Sequence, residues 1–117
     1  MALESNSNDL QGSSRIPNFF RMSIAQRISA LAERGLLSQE DIQQLASGGH
    51  QLKLNVADKM IENVVGVFGL PMGVALNFLI NNKDYVVPLA VEEPSIVAGL
   101  SGAARLARLG GWFSAAE

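Results

Sequence analysis

Apolar side chains recur along this chain with two different periods, and the switches between them divide it into elements. Ser23 opens a helical stretch. Gln26, three residues on, completes a capping box in which each side chain satisfies the other's free backbone N–H. Ile24, Ile28 and Leu31 follow at helical spacing until Gly35 stops the helix. Ser38 with Asp41 starts a second short helix, with Ile42 and Leu45 as its apolar side and Gly48-Gly49 as its end. The two predict a helical hairpin. Asn55 with Asp58 predicts a third helix, lined by Val56, Met60, Val64 and Val67, widened by Ile61, Val65 and Phe68, and broken by Gly69 and Pro71. Glu62 and Asn63 stand among its apolar residues; a buried acid must be paired or neutral, so an ion pair across an interface is expected there.

The period then drops to two. Val74, Leu76, Phe78 and Ile80 alternate with Ala75, Asn77 and Leu79, and Tyr85, Val87, Leu89 and Val91 alternate with Val86, Pro88 and Ala90. Asn81-Asn82-Lys83-Asp84 between them predicts a hairpin, because Asn tolerates the left-handed backbone of tight turns. Pro88 cannot donate to a ladder and is expected at an edge or a bulge. Pro94 suits a first helical position, and Ile96 to Leu109 reads as a helix that is apolar almost all round, with only Arg105 and Arg108 charged. Gly99, Gly102 and Ala103 form a small-residue strip suited to close backbone approach. Such a helix expects burial on most sides, yet the preceding elements are too few to surround it, which implies partners from further chain or another subunit. The pattern describes an α+β fold of N-terminal helices, a β-hairpin and a buried C-terminal helix, forming part of a larger domain.

Composition narrows the function classes. Of 117 residues, 48% are apolar and 17% charged, enough for a packed core. Nine basic against eleven acidic residues offer no nucleic-acid face, and the absence of cysteine excludes disulfides and thiolate metal sites and fits a cytoplasmic protein. Residues 1–13 are rich in Ser and Asn without a basic start or apolar core, so they read as a flexible leader and not a secretory signal. Asn63 to Asn82 carries no charge and approaches the length of a membrane span, but its glycines, proline and alternating second half argue against one.

Candidate chemistry is sparse. Glu92-Glu93-Pro94 joins an apolar strand to an apolar helix. Neighbours in a strand point to opposite faces, so one glutamate is expected to turn toward the core. A desolvated carboxyl there would suit proton donation near neutral pH. The alternative is a pair of first-turn acids favoured by the helix dipole. Ser95 either caps the helix or meets a ligand. Arg15 and Arg21 flank Pro17-Asn18-Phe19-Phe20 and either grip phosphate or lie on the surface. His50, the only histidine, follows two glycines with no metal-ligand spacing around it and reads as an exposed loop residue. No phosphate loop and no nucleophile elbow is present.

Several segments together resemble class II hydroxymethylglutaryl-coenzyme A reductases. Ser14-Arg15-Ile16-Pro17 and Phe19 are similar to that family's opening. Met60-Ile61-Glu62-Asn63-Val64-Val65-Gly66 resembles its E-N-V-I-G signature. Leu70 to Ala75, Asn77-Phe78, Ile80-Asn81, Asp84-Tyr85, Val87-Pro88 and Val91 to Ala98 continue the likeness, which covers residues 14–113. Asn82 stands where the family usually has glycine.

The resemblance implies an oxidoreductase that interconverts hydroxymethylglutaryl-CoA and mevalonate plus CoA with NADH or NADPH and no metal. It implies Glu93 as the catalytic proton shuttle at the carbonyl oxygen of the aldehyde-level intermediate. Ser95 would lie near the hydroxymethylglutaryl group, Arg21 near the CoA phosphates, and Glu62 and Asn63 in a subunit interface of a homo-oligomer built from dimers. Residues 14–109 would be the N-terminal part of the substrate-binding domain, and 110–117 the start of a link to a nicotinamide-binding domain. The family's catalytic lysine, aspartate and histidine fall beyond Glu117, so the 117-residue chain is expected to be inactive alone. The other reading is a non-catalytic assembly or binding module derived from that enzyme.

Overall fold

The computed structural model describes residues 11–48 and 51–116, so most of the expected leader, and His50, lie outside the described residues. After a 3₁₀ turn at Phe19–Arg21, helices α1 (Ile24–Glu33) and α2 (Gln39–Ser47) form the predicted hairpin. Both capping boxes are made. Ser23 Oγ accepts from the Gln26 N–H at 3.2 Å and Gln26 Oε1 from the Ser23 N–H at 2.8 Å, and Ser38 and Asp41 pair in the same way. Gly35 and Gly48 end the helices at φ 70°, a conformation that favours glycine.

The third helix is a correction. Only Leu54–Ala57 (α3) is helical, with Lys53 and not Asn55 at its start, and residues 58–63 run through turns. Asn63 sits at φ 58°, and residues 64–71 carry no regular structure. The apolar stripe read from the sequence has nothing to pack on here: Met60, Ile61, Val65 and Phe68 are all exposed. A short helix without a packed face does not sustain itself. Glu62 and Asn63 are accordingly exposed, and no ion pair to Glu62 forms among the described residues. The uncharged stretch 63–82 thus divides between this segment and a strand. Among the described residues no helix is long and apolar enough to cross a membrane.

Strands β1 (Met72–Ile80) and β2 (Lys83–Ala90) pair antiparallel across Asn81-Asn82, both at positive φ (48° and 63°), as a two-residue turn of this hand requires. The register slips between Ala75 and Phe78. Leu76 and Asn77 together oppose the single residue Val86, with Asn77 at φ 68°. This bulge resets the simple alternation read from the sequence, so that Ala75 and Leu76 are both buried. Pro88 is exposed and faces Val74 on the second strand of a two-stranded sheet.

Helix α4 (Ile96–Leu109) packs along β1. Val97, Leu100, Ser101, Ala104, Ala107 and Arg108 turn toward the hairpin, yet only Ala104 is fully buried. The expected burial on most sides is not met within the chain, because one sheet covers one face. Gly99 and Gly102 have open space around them; the close approach is made by Gly73 of β1, where a Cβ would stand 3.4 Å from Val97. Beyond α4 the chain returns beside β1. The Phe113 N–H donates to Leu79 O at 3.0 Å, and its ring stacks on Phe78 at 5.5 Å.

The strap at residues 12–18 joins the helical hairpin to this unit. Arg34 holds it, donating to Arg15 O at 2.9 Å and accepting from the Gly12 N–H at 2.7 Å. Ile16 packs with Leu31 and Leu76 in a small core. Ser14 is wholly buried: its N–H and hydroxyl both donate to Asp84 Oδ1, at 3.0 and 2.6 Å. Arg108 donates to the same oxygen at 2.7 Å, to Asn77 O at 3.1 Å and to Ser14 Oγ at 3.2 Å. Burial would raise the Asp84 carboxyl. The Ser14 hydroxyl and N–H and the Arg108 guanidinium outweigh that, and hold it below its ordinary 3.8.

Two outcomes are expected. Asn77→Ala forfeits both the side chain's tolerance of a left-handed backbone and its bond to Ser101 O, and should cost about 2 kcal/mol in chemical denaturation. A loss under about 0.5 kcal/mol would show that Asn77 does not specify the bulge. The stabilisation from Asp84 is fully present above its unfolded value of 3.8 and is lost as pH falls through the lower folded value. Asp84→Asn should therefore destabilise by about 2 kcal/mol at neutral pH and flatten the acid limb of the stability curve. An acid limb identical to that of the parent chain would contradict this.

Candidate functional site

An open cleft of about 1590 Å³ separates the helical hairpin and strap from the β-hairpin and α4. Arg15, Ile16, Phe20, Arg27 and Leu31 line one side; Met72, Asn77, Glu93, Ser95, Ser101 and Arg105 line the other. Each wall follows from local structure. Arg27, on α1, donates to Phe19 O at 3.1 Å and Phe20 O at 3.0 Å and so folds the Phe19–Arg21 turn against the helix. On the opposite wall the bulge turns Leu76 N–H to Ser101 Oγ at 2.9 Å, which sets the helix at a fixed distance from the strand.

Glu93 lies at the rim of this cleft but is not turned into the core. Both Glu92 and Glu93 are exposed. The expectation failed because β2 ends at Ala90, and residues 92–95 form bends and a turn; strand alternation no longer applies there. Ser95 precedes the helix at φ 74° with its hydroxyl in no capping bond, and Pro94 lies before it and not at the first helical position. The dipole reading is corrected too, since neither acid is in the first turn of α4. Ser95 is left facing the cleft with Glu93.

The other candidates separate. Arg21 is exposed, with its guanidinium 5.4 Å from the Phe20 ring, and does not line the cleft, whereas Arg15 does. Glu62 and Asn63 are also outside it. Sequence reasoning missed Asn77 and Ser101, which the bulge brings to the wall. It noted Arg105 only as one of two charges on an apolar helix, and that lone charge was the available signal.

Arg15, Arg27, Arg105 and Arg108 against Glu92 and Glu93 leave the cleft cationic on balance, and among the described residues Arg108 alone of the four pairs with an acid, Asp84. Such walls suit an elongated anionic ligand with apolar parts, one end of which meets a carboxyl and a hydroxyl. Among the described residues no group of three or more His, Asp or Glu is placed to hold a metal ion.

The sequence pattern of the hydroxymethylglutaryl-coenzyme A reductase family matches residues 23–117. The 3-hydroxy-3-methylglutaryl-coenzyme A reductase of Archaeoglobus fulgidus is 53% identical over 102 residues, 87% of this chain and 23% of its own length. That of Xenopus laevis is 46% identical over 50 residues, 43% of this chain and 6% of the relative. The class II reductase of Streptococcus pneumoniae, solved bound to NADPH in open conformations, superposes with a TM-score of 0.77 at 37% identity, covering 84% of this chain and 26% of that one. The chain spans about a quarter of the length of the Archaeoglobus and Streptococcus proteins. With a family match over most of its residues, the chain belongs to the hydroxymethylglutaryl-coenzyme A reductase family.

Proposed function

We propose that this segment supplies one wall of the substrate site in an oxidoreductase interconverting hydroxymethylglutaryl-CoA and mevalonate plus CoA. The observation that carries the reading is the placement of Glu93 and Ser95 together at the rim of a cleft whose other residues include Arg15 and Arg105. A CoA thioester is long, polyanionic at one end and apolar along its arm, which matches that lining. In this reading Glu93 delivers a proton to the oxygen of the aldehyde-level carbonyl, and the Ser95 hydroxyl orients the acyl group. Arg15 and Arg105 face the phosphates; Arg21 reaches them only from outside the cleft. An exposed carboxyl at the site's mouth can trade protons with solvent and with a bound carbonyl alike.

NADPH in the Streptococcus relative supports a nicotinamide cofactor, which supplies hydride when bound. The described residues do not form a cradle for it: neither α1 nor α4, which face each other across the cleft, has a glycine-rich loop before it. Glu62 and Asn63 lie in an exposed, largely apolar segment from Met60 to Met72, which supports a subunit contact there; the reading takes the whole protein as a cytoplasmic homo-oligomer built from dimers. The same apolar exposure, with Leu106 exposed on α4 outside the cleft, favours a second reading, in which this chain serves as an assembly module without turnover.

Glu93→Gln, in a reductase polypeptide carrying this segment, should lower turnover at least about 100-fold while CoA thioester binding persists. Turnover near that of the parent would remove Glu93 from the mechanism. The purified 117-residue chain should show no nicotinamide-dependent reduction and should aggregate through its uncovered apolar surface in sedimentation. A discrete homodimer would favour the assembly module, and measurable reduction would overturn the expectation that the chain is inactive alone.

A further inference from the structure

Three backbone groups at the β1 bulge bond outside the hairpin ladder. The Leu76 N–H goes to Ser101 Oγ, the Asn77 N–H to Ser14 O at 3.1 Å, and Asn77 O accepts from Arg108. The bulge is thereby tied to the strap and to α4 at once. Ser14 has one hydroxyl proton, and Asp84 Oδ1 at 2.6 Å takes it in preference to Phe78 O at 3.3 Å. Ser14 Oγ then accepts from Arg108. A planar guanidinium can serve Asp84, Asn77 and Ser14 in one fixed geometry, which a single ammonium cannot.

This cluster touches both walls of the cleft. Ser14 sits in the strap beside Arg15 and Ile16, and Arg108 lies one turn beyond Arg105 on α4. We propose that Ser14, Asp84 and Arg108 are a positioning clamp, holding the strap and α4 at the separation a ligand must bridge without themselves meeting the reacting atoms. The proposal rests on the reading of the cleft as a CoA thioester site. The Glu93 end of α4 has its own anchors: the Val91 N–H donates to Pro71 O at 3.2 Å, and Val97 seats against Gly73. Loosening the clamp therefore displaces the binding walls more than the acid, and its effect falls on KM more than on kcat.

The test is steady-state kinetics with hydroxymethylglutaryl-CoA, alongside thermal melts, in a reductase polypeptide carrying this segment. Asp84→Asn and Arg108→Lys should each raise KM about tenfold with kcat within about threefold of the parent. Adding Ser14→Ala to Asp84→Asn should raise KM little further, because the three act as one unit. If Asp84→Asn does not fold, Arg108→Lys, which keeps the charge, and Ser14→Ala alone decide the matter. A lowered melting temperature with unchanged KM would reduce the clamp to a structural tie and overturn the proposal. A parent polypeptide that neither binds nor turns over the thioester would overturn the site reading and the clamp with it; a parent that does both, with variants of unchanged KM, would overturn the clamp alone.

Discussion

One carboxylate oxygen joins three regions of this fold, the strap, the β-hairpin and α4. Asp84 Oδ1 receives the Ser14 N–H, the Ser14 hydroxyl and the Arg108 guanidinium, drawing together residues 70 and 24 positions away in sequence. A partly buried ion pair is weak evidence for stability, since taking charges out of water opposes their attraction. It is better evidence for specificity. The cluster of buried apolar side chains here comprises Ile16, Leu31 and Leu76, and apolar contacts alone tolerate sliding. Directional bonds to one oxygen do not. Asp84 therefore fixes where the strap and α4 lie relative to the hairpin, while the apolar cluster holds them close.

The bulge in β1 follows from the same constraint. A regular strand would keep Leu76 and Asn77 in the ladder with β2; their bonds to Ser101, Ser14 and Arg108 pull them out of it. Asn is the residue that accepts the resulting left-handed backbone at low steric cost. The outcome is a strand that serves two partners, β2 along its edge and α4 across its face. The cleft lies where the strap and the helical hairpin stand off from that face.

What could be read from the sequence was whatever depends on near neighbours. Ser23–Gln26 and Ser38–Asp41 announce helix starts, because a capping box is local chemistry. Asn81-Asn82 announces a turn, because two left-handed residues in a row need such side chains. The span of α4 was also legible, from its apolar run and the glycines behind it. The bulge was not, since its cause lies in Ser14 and Arg108, far away in the chain. Nor was the disordering of the predicted third helix into turns: the stripe from Val56 to Phe68 is a sound helical pattern, and its failure reflects a missing surface to pack on. At the site, the residue types at Glu93 and Ser95 were legible and their surroundings were not. That difference came from carrying strand alternation through Glu93, when β2 ends at Ala90.

That last error bears on mechanism. A glutamate at a strand end would take its dry surroundings from the core beneath it. Glu93 instead stands on a turn, exposed, above a cleft. Water can be removed from such a carboxyl only by what enters or closes the cleft, the ligand itself or elements folded over it. For the proposed proton transfer this divides the work: the described residues set position, through the Val91–Pro71 bond, the Gly73–Val97 contact and the clamp at Asp84, while the ligand-bound assembly sets the medium. In the proposed transfer, an acid arranged in this way stands in water until substrate fills the cleft and brings the carbonyl within its reach.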